Sequence, residues 1–130
     1  MAKTRIVVID DCTFTLQILK DMITELGIHV DLAKSGAEAN RFIYHVPQPD
    51  LVLMDIEMPA TSGDDKVRLL KKTPGFKNIP VILMSAKTRD EMERLCQLSG
   101  AEDYLIKPIT LEQLREKLNS VLRMDIPPHP

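Results

Sequence analysis

The chain has 130 residues, 44% of them apolar and 28% charged, so a single hydrophobic core is expected and disorder or a fibrous repeat is excluded. Seventeen Lys and Arg against nineteen Asp and Glu leave a net charge of −2, too little to attract a phosphate backbone, which argues against direct nucleic-acid binding. Cys12 and Cys96 lack CxxC spacing and are expected to be reduced, buried thiols. Apolar runs such as Ile6 to Ile9 and Val81 to Met84 are far short of a bilayer span, and no secretory h-region follows Met1. A cytoplasmic protein is expected.

In chain order, Ile6 to Ile9 is an unbroken apolar run of strand length, and Leu16, Leu19, Ile23 and Leu26 then form a helical stripe that Gly27 ends. His29 to Ala33 alternates, as an edge strand does, and Ala39, Phe42, Ile43 and Val46 form a second stripe. Leu51 to Met54 is a second apolar run; Asp64 to Lys72, with Val67 and Leu70, is a third helix closed by Pro74-Gly75. Val81 to Met84 is the third central strand, followed by a helix from about Thr88 to Ser99 with Met92, Leu95 and Cys96 inward and Gly100 at its end. Tyr104 to Ile106 is a short edge strand, and Leu111, Leu114, Leu118, Val121 and Leu122 mark the last helix. Runs apolar on both faces belong to parallel strands covered by helices. Five β-α units therefore predict an α/β, doubly wound parallel sheet of five strands. Residues 125–130, rich in proline, read as an extended tail or the start of a linker after a domain over 1–124.

Open α/β sheets bind ligands at the carboxyl ends of their strands. Here those ends carry Asp10-Asp11, Asp55, Ser85 and Lys107. Clustered carboxylates repel, at about 4 kcal/mol for a unit pair 4 Å apart in a dielectric of 20, so a positive partner is required. Mg²⁺ suits oxygen ligands of this kind and keeps positions for water and a phosphate oxygen. With Lys107 it balances three negative charges, leaving a site able to receive a phosphoryl group whose oxygens the metal, Lys107 and Ser85 share. Any of the carboxylates has the chemistry of a nucleophile. Position favours Asp55, which is single, central and followed by the turn Ile56-Glu57-Met58-Pro59, while Asp10 and Asp11 suit metal ligation.

Val8-Ile9-Asp10-Asp11, Met54-Asp55-Ile56-Glu57-Met58-Pro59 with Gly63, Met84-Ser85-Ala86 and Tyr104-Leu105-Ile106-Lys107-Pro108 together resemble the response-regulator receiver domains of two-component signalling, over nearly the whole chain. The resemblance implies a flavodoxin-like (βα)5 fold with strand order 2-1-3-4-5. It implies Asp55 as phosphoacceptor, Asp10 and Asp11 as the acidic pair on Mg²⁺, and the backbone carbonyl of Glu57 as a further metal ligand. Ser85 and Lys107 take the places of the family's hydroxyl and lysine, Tyr104 that of its switch aromatic, and Lys107-Pro108 that of its cis peptide. A sensor histidine kinase or phosphotransfer protein would supply the phosphoryl group. The fourth helix, fifth strand and fifth helix, roughly Thr88 to Met124, would present the output to a downstream effector or to a second copy in a homodimer. Such a chain is a phosphoacceptor rather than an enzyme acting on a substrate.

Ser62 and Asp64 depart from the family pattern, and Asp64 and Asp65 suit the first turn of a helix instead. Glu57 and Lys87, each two places beyond a site residue, are positioned to pair. The anionic neighbours of Cys12 are expected to raise its thiol pKa. His29, His45 and His129 lack ligand spacing and read as solvated, and Met22, Met54, Met84 and Met92 as core filler. Taken singly, Asp10-Asp11 reads as a turn, Ser85 as a cap, Lys107 as a solvated charge and Tyr104 as a packed aromatic; their joint placement is the signal. A haloacid-dehalogenase-like phosphatase is the enzyme alternative, but Glu57 stands at its second-acid position and no cap domain fits in this length. A nucleotide or flavin module lacks its phosphate loop. A degenerate receiver, serving only as an interaction module, is opposed by the presence of all five pocket residues.

Overall fold

The computed structural model describes residues 3–58 and 63–128. Ten elements alternate along the chain: β1 (Arg5–Ile9), α1 (Thr13–Glu25), β2 (His29–Ala33), α2 (Gly36–Ile43), β3 (Leu51–Asp55), α3 (Gly63–Lys72), β4 (Val81–Ser85), α4 (Arg89–Ser99), β5 (Asp103–Ile106) and α5 (Leu111–Leu122). The strands form one parallel sheet in the order β2-β1-β3-β4-β5. Every residue of β3 and β4 is buried, whereas β2 and β5 are largely half-buried, which is the predicted division between central and edge strands.

Strand side chains alternate between faces, and each face has its own core. Ile6, Val8, Leu51, Leu53, Ile82, Met84 and Leu105 pack with Leu16, Leu19 and Ile23 of α1 and Leu114 and Leu118 of α5. Val7, Ile9, Val52, Met54, Val81 and Leu83 pack on the other side with Ala39 and Ile43 of α2, Val67 and Leu70 of α3 and Met92 of α4. Two helices on one face and three on the other make the sheet doubly wound.

The helix ends follow local chemistry. The Thr88 side chain accepts from the Glu91 amide at the start of α4, and Gly100, at φ 87°, closes that helix in the left-handed region where a side chain would be strained. Thr110 and Gln113 form a reciprocal capping box at the start of α5. At α2 the expectation needs correction, because the helix stops at Ile43 and Val46 is 83% exposed rather than part of the buried stripe. Pro47 follows, and a residue before proline is disfavoured in helical backbone. The Val46-Pro47 and Lys107-Pro108 peptides are both cis.

The C-terminal segment is attached further than its composition suggests. Met124 and Ile126 pack against the α1/α5 core. The Ile126 carbonyl accepts from Arg115 Nη1 at 3.1 Å and Asn119 Nδ2 at 3.0 Å, and its amide donates to Asn119 Oδ1 at 2.8 Å. No helix among the described residues is long and apolar enough to cross a membrane. Ser62 and His129 lie outside the described residues.

Candidate functional site

The alternation of the strands decides which strand-end residues meet. Leu51 and Leu53 face the α1/α5 side, as do Ile6, Val8 and Leu105, so continuing the period of two puts Asp10, Asp55 and Lys107 on that side. Ile9 pairs with Met54 in the ladder, which brings Asp10 and Asp55 alongside one another. Ser85 continues Val81 and Leu83 toward the opposite face, while its carbonyl accepts from the Lys107 amide at 2.8 Å.

Carboxylate oxygens of Asp10, Asp11 and Asp55 all lie within 4.8 Å of one another. Lys107 Nζ donates to Asp10 Oδ2 at 2.8 Å and stands 3.5 Å from Asp55 Oδ1. Asp10 is fully buried and Asp55 is 4% exposed, and Asp11 opens to solvent. The Cys12 amide donates to Asp10 Oδ1 at 2.9 Å, and the Glu57 amide lies 3.3 Å from Asp55 Oδ1. Burial, and then the Asp10 charge, push the Asp55 carboxyl up to about 6 against the opposing pull of Lys107. For Lys107 burial is the largest influence and favours the neutral amine, but the hydrogen bond to Asp10 and the charges of Asp55 and Asp10 together outweigh it and raise its pKa. Three carboxylates facing one ammonium carry a residual charge of −2 when ionised, and every donor is a hard oxygen, so the set fits a divalent cation such as Mg²⁺.

The switch candidates are held on the other side of this cluster. Ser85 is buried; its hydroxyl donates to Glu57 Oε1 at 3.1 Å and accepts from the Lys87 amide at 3.2 Å. The Lys87 ammonium stands 3.8 Å from the same Glu57 oxygen and 4.0 Å from Glu91 Oε2. The expected pairing of Glu57 with Lys87 is therefore present. Tyr104 donates from its hydroxyl to Glu93 Oε1 at 3.2 Å, and Lys117 Nζ lies 5.4 Å from its ring centre while pairing with Asp103 at 3.0 Å.

Two features escaped the sequence. One is a second contact of the Glu57 side chain, expected to pair with Lys87 but found also on the Ser85 hydroxyl. The other is a groove of about 390 Å³ beside Lys107, lined by Phe14, Ile18, Leu19, Ala86, Pro108 and Ile109. Phe14 is 74% exposed; two apolar residues four apart and off the buried stripe of α1 were the available signal. Cys12 corrects two expectations. It is exposed, and its thiol pKa is lowered, because a hydrogen bond to the Thr15 side chain and the amides of Thr15 and Phe14 outweigh both desolvation and the smaller effect of the Asp10 charge. Cys96 is half-buried, and burial pushes its thiol up to about 11.

The chain matches the response regulator receiver domain family over residues 6–119. It is 34% identical to the protein PilH of Pseudomonas aeruginosa over 91% of this chain and 97% of that one. It is 35% identical to the response regulator MprA of a Mycobacterium species over 95% of this chain and 52% of MprA. The chain thus spans about half the length of MprA, and less of some other relatives. Among solved structures, a two-component response regulator from Clostridium difficile superposes with a TM-score of 0.81 at 32% identity, covering 93% of this chain and 97% of that one. The phosphatase alternative is not favoured by a match of this extent. The chain belongs to the response regulator receiver domains of two-component signalling, a family of signalling phosphoacceptors.

Proposed function

We propose that Asp55 accepts a phosphoryl group from a sensor histidine kinase or phosphotransfer protein. Asp10, Asp11 and Asp55, with the backbone carbonyl of Glu57, would hold Mg²⁺. The observation that carries this reading is the meeting of three carboxylates within 4.8 Å, two of them reached by one lysine. An Asp55 oxygen attacks the phosphorus, the P–N bond to the donor histidine breaks, and its electron pair stays on the imidazole. Bound Mg²⁺ would neutralise the acidic cluster and draw charge from the phosphoryl oxygens. Lys107, already turned between Asp10 and Asp55, takes one oxygen, and the Ser85 hydroxyl takes another. Asp10 and Asp11 stay as ligands, and water later cleaves the acyl phosphate.

The groove formed by Phe14, Ile18, Pro108 and Ile109 lies against Lys107 and gives a donor protein an apolar seat beside the acceptor. Movement of Ser85 toward the phosphoryl group, with Tyr104 turning inward, changes the α4-β5-α5 face for a downstream effector or a second copy. The same reading takes residues 1–124 as the receiver unit, 125–130 as a tail or linker, and the cytoplasm as the setting. The test is incubation with Mg²⁺ and a small acyl phosphate, followed by intact mass. A gain of one phosphoryl group that Asp55→Asn abolishes is expected; unchanged mass with that donor and with a panel of kinases overturns the assignment.

A further inference from the structure

Ser85 has one hydroxyl proton, and a hydroxyl donates one hydrogen bond at a time. Here that proton is committed to Glu57 Oε1 at 3.1 Å, while the oxygen's acceptor side takes the Lys87 amide at 3.2 Å. Ser85 is buried at 1% exposure, so no solvent competes freely for the proton. We infer that the Glu57 carboxylate is a latch: it holds the Ser85 hydroxyl in the resting protein and must release it before Ser85 bonds a phosphoryl oxygen on Asp55. The inference rests on Asp55 being the phosphoacceptor and adds a positioning role for a side chain that makes no contact with the reacting atoms.

Release has a built-in destination. Lys87 Nζ stands 3.8 Å from the oxygen that holds Ser85, and the Glu57 side chain is 61% exposed, free to turn toward the ammonium. In the resting state Glu57 divides itself between a hydroxyl and an ammonium. When the hydroxyl leaves, the ammonium keeps the carboxylate away from the incoming anion. The latch therefore lowers the population competent to bind phosphate, and removing it raises apparent affinity by the ratio of the two populations.

The experiment titrates beryllofluoride with Mg²⁺ into the full chain by calorimetry, following the Lys87 amide resonance as a reporter of the Ser85 oxygen. Glu57→Ala is expected to tighten binding roughly tenfold, the scale of one hydrogen bond to a charged acceptor. In a Ser85→Ala background the same substitution is expected to gain less than about twofold, because the proton it would release is gone. Glu57→Gln, which keeps an acceptor for the hydroxyl without the charge, gains less than Glu57→Ala. Equal gains in the two backgrounds, or from Ala and Gln alike, overturn the latch and reduce Glu57 to simple charge repulsion. No binding by the unsubstituted chain overturns the assignment of Asp55, and the latch with it.

Discussion

At the scale of single residues, Asp55 is a group whose surroundings work against folding. Its carboxyl sits at about 6, above its ordinary 3.8, because it is buried beside Asp10. A raised acid is protonated in the folded chain over a range where the unfolded chain has lost the proton, so folding stability falls as pH rises from about 4 to 6. Without a divalent cation this amounts to roughly 2–3 kcal/mol at neutral pH. Asp55→Asn removes the charge and leaves Lys107 its 2.8 Å bond to Asp10. In EDTA the variant should therefore be more stable than the natural chain by about 2 kcal/mol in urea at pH 7.5, and the gap should close below pH 5. An Asp55→Asn variant less stable at pH 7.5 would show that Lys107 depends on Asp55 more than the geometry allows. The identity of this cluster was legible in the sequence, since each member ends a strand and strand ends meet at one edge of the sheet. Its burial was not, nor was the lowered Cys12 thiol: neighbouring charges can be read from sequence, but the Thr15 hydrogen bond and helix amides that outweigh them require coordinates.

At the scale of elements, the central strands were readable because covered parallel strands are apolar on both faces, and the period of two assigns Asp10, Asp55 and Lys107 to one side. The end of α2 was misread because helical spacing alone takes in Val46, while Pro47 already restricts that residue's backbone. The C-terminal segment shows a different limit of reading from composition. Its proline content describes the free chain, whereas Asn119 and Arg115, seven and eleven residues back on α5, capture the Ile126 backbone. The caps are a further element-scale feature with a measurable weight. The Thr110 hydroxyl oxygen accepts from the Gln113 amide at 3.2 Å and the Thr110 amide donates to Gln113 Oε1 at 3.2 Å, while the helix they start supplies Leu114 and Leu118 to the core. Thr110→Ala should lower stability by about 1 kcal/mol, and Thr110→Ser should restore most of it. If Thr110→Ala unfolds at the same denaturant concentration as the natural chain, the start of α5 is held by packing alone.

At the scale of the whole molecule, the chain folds around a charge imbalance that the fold alone leaves uncorrected. Two cores fix five strands in register, and the register in turn forces Asp10 and Asp55 together at one end of β1 and β3. Since three carboxylates face one ammonium there, the proposed divalent cation would bind the folded chain and find no such site in the unfolded one. Binding of that kind stabilises by about 2.7 kcal/mol when the cation is at a hundred times its Kd. For a domain of this size that is on the order of 10 °C in Tm. Calorimetric scans should show Tm rising with Mg²⁺ concentration at pH 7.5 and little affected by matched NaCl. The effect should weaken with acid, because Mg²⁺ and the proton compete for Asp55. One unit below its pKa of about 6, only about a tenth of Asp55 is ionised, so apparent affinity at pH 5 should fall about tenfold. The sign is opposite to that for the cation-free chain, which gains stability from Asp55 over the same descent. The two curves should therefore converge as pH falls from 7.5 to 5. A Tm indifferent to Mg²⁺ at pH 7.5 would mean that the cluster is balanced by Lys107 and water, and it would remove the metal from the proposed transfer.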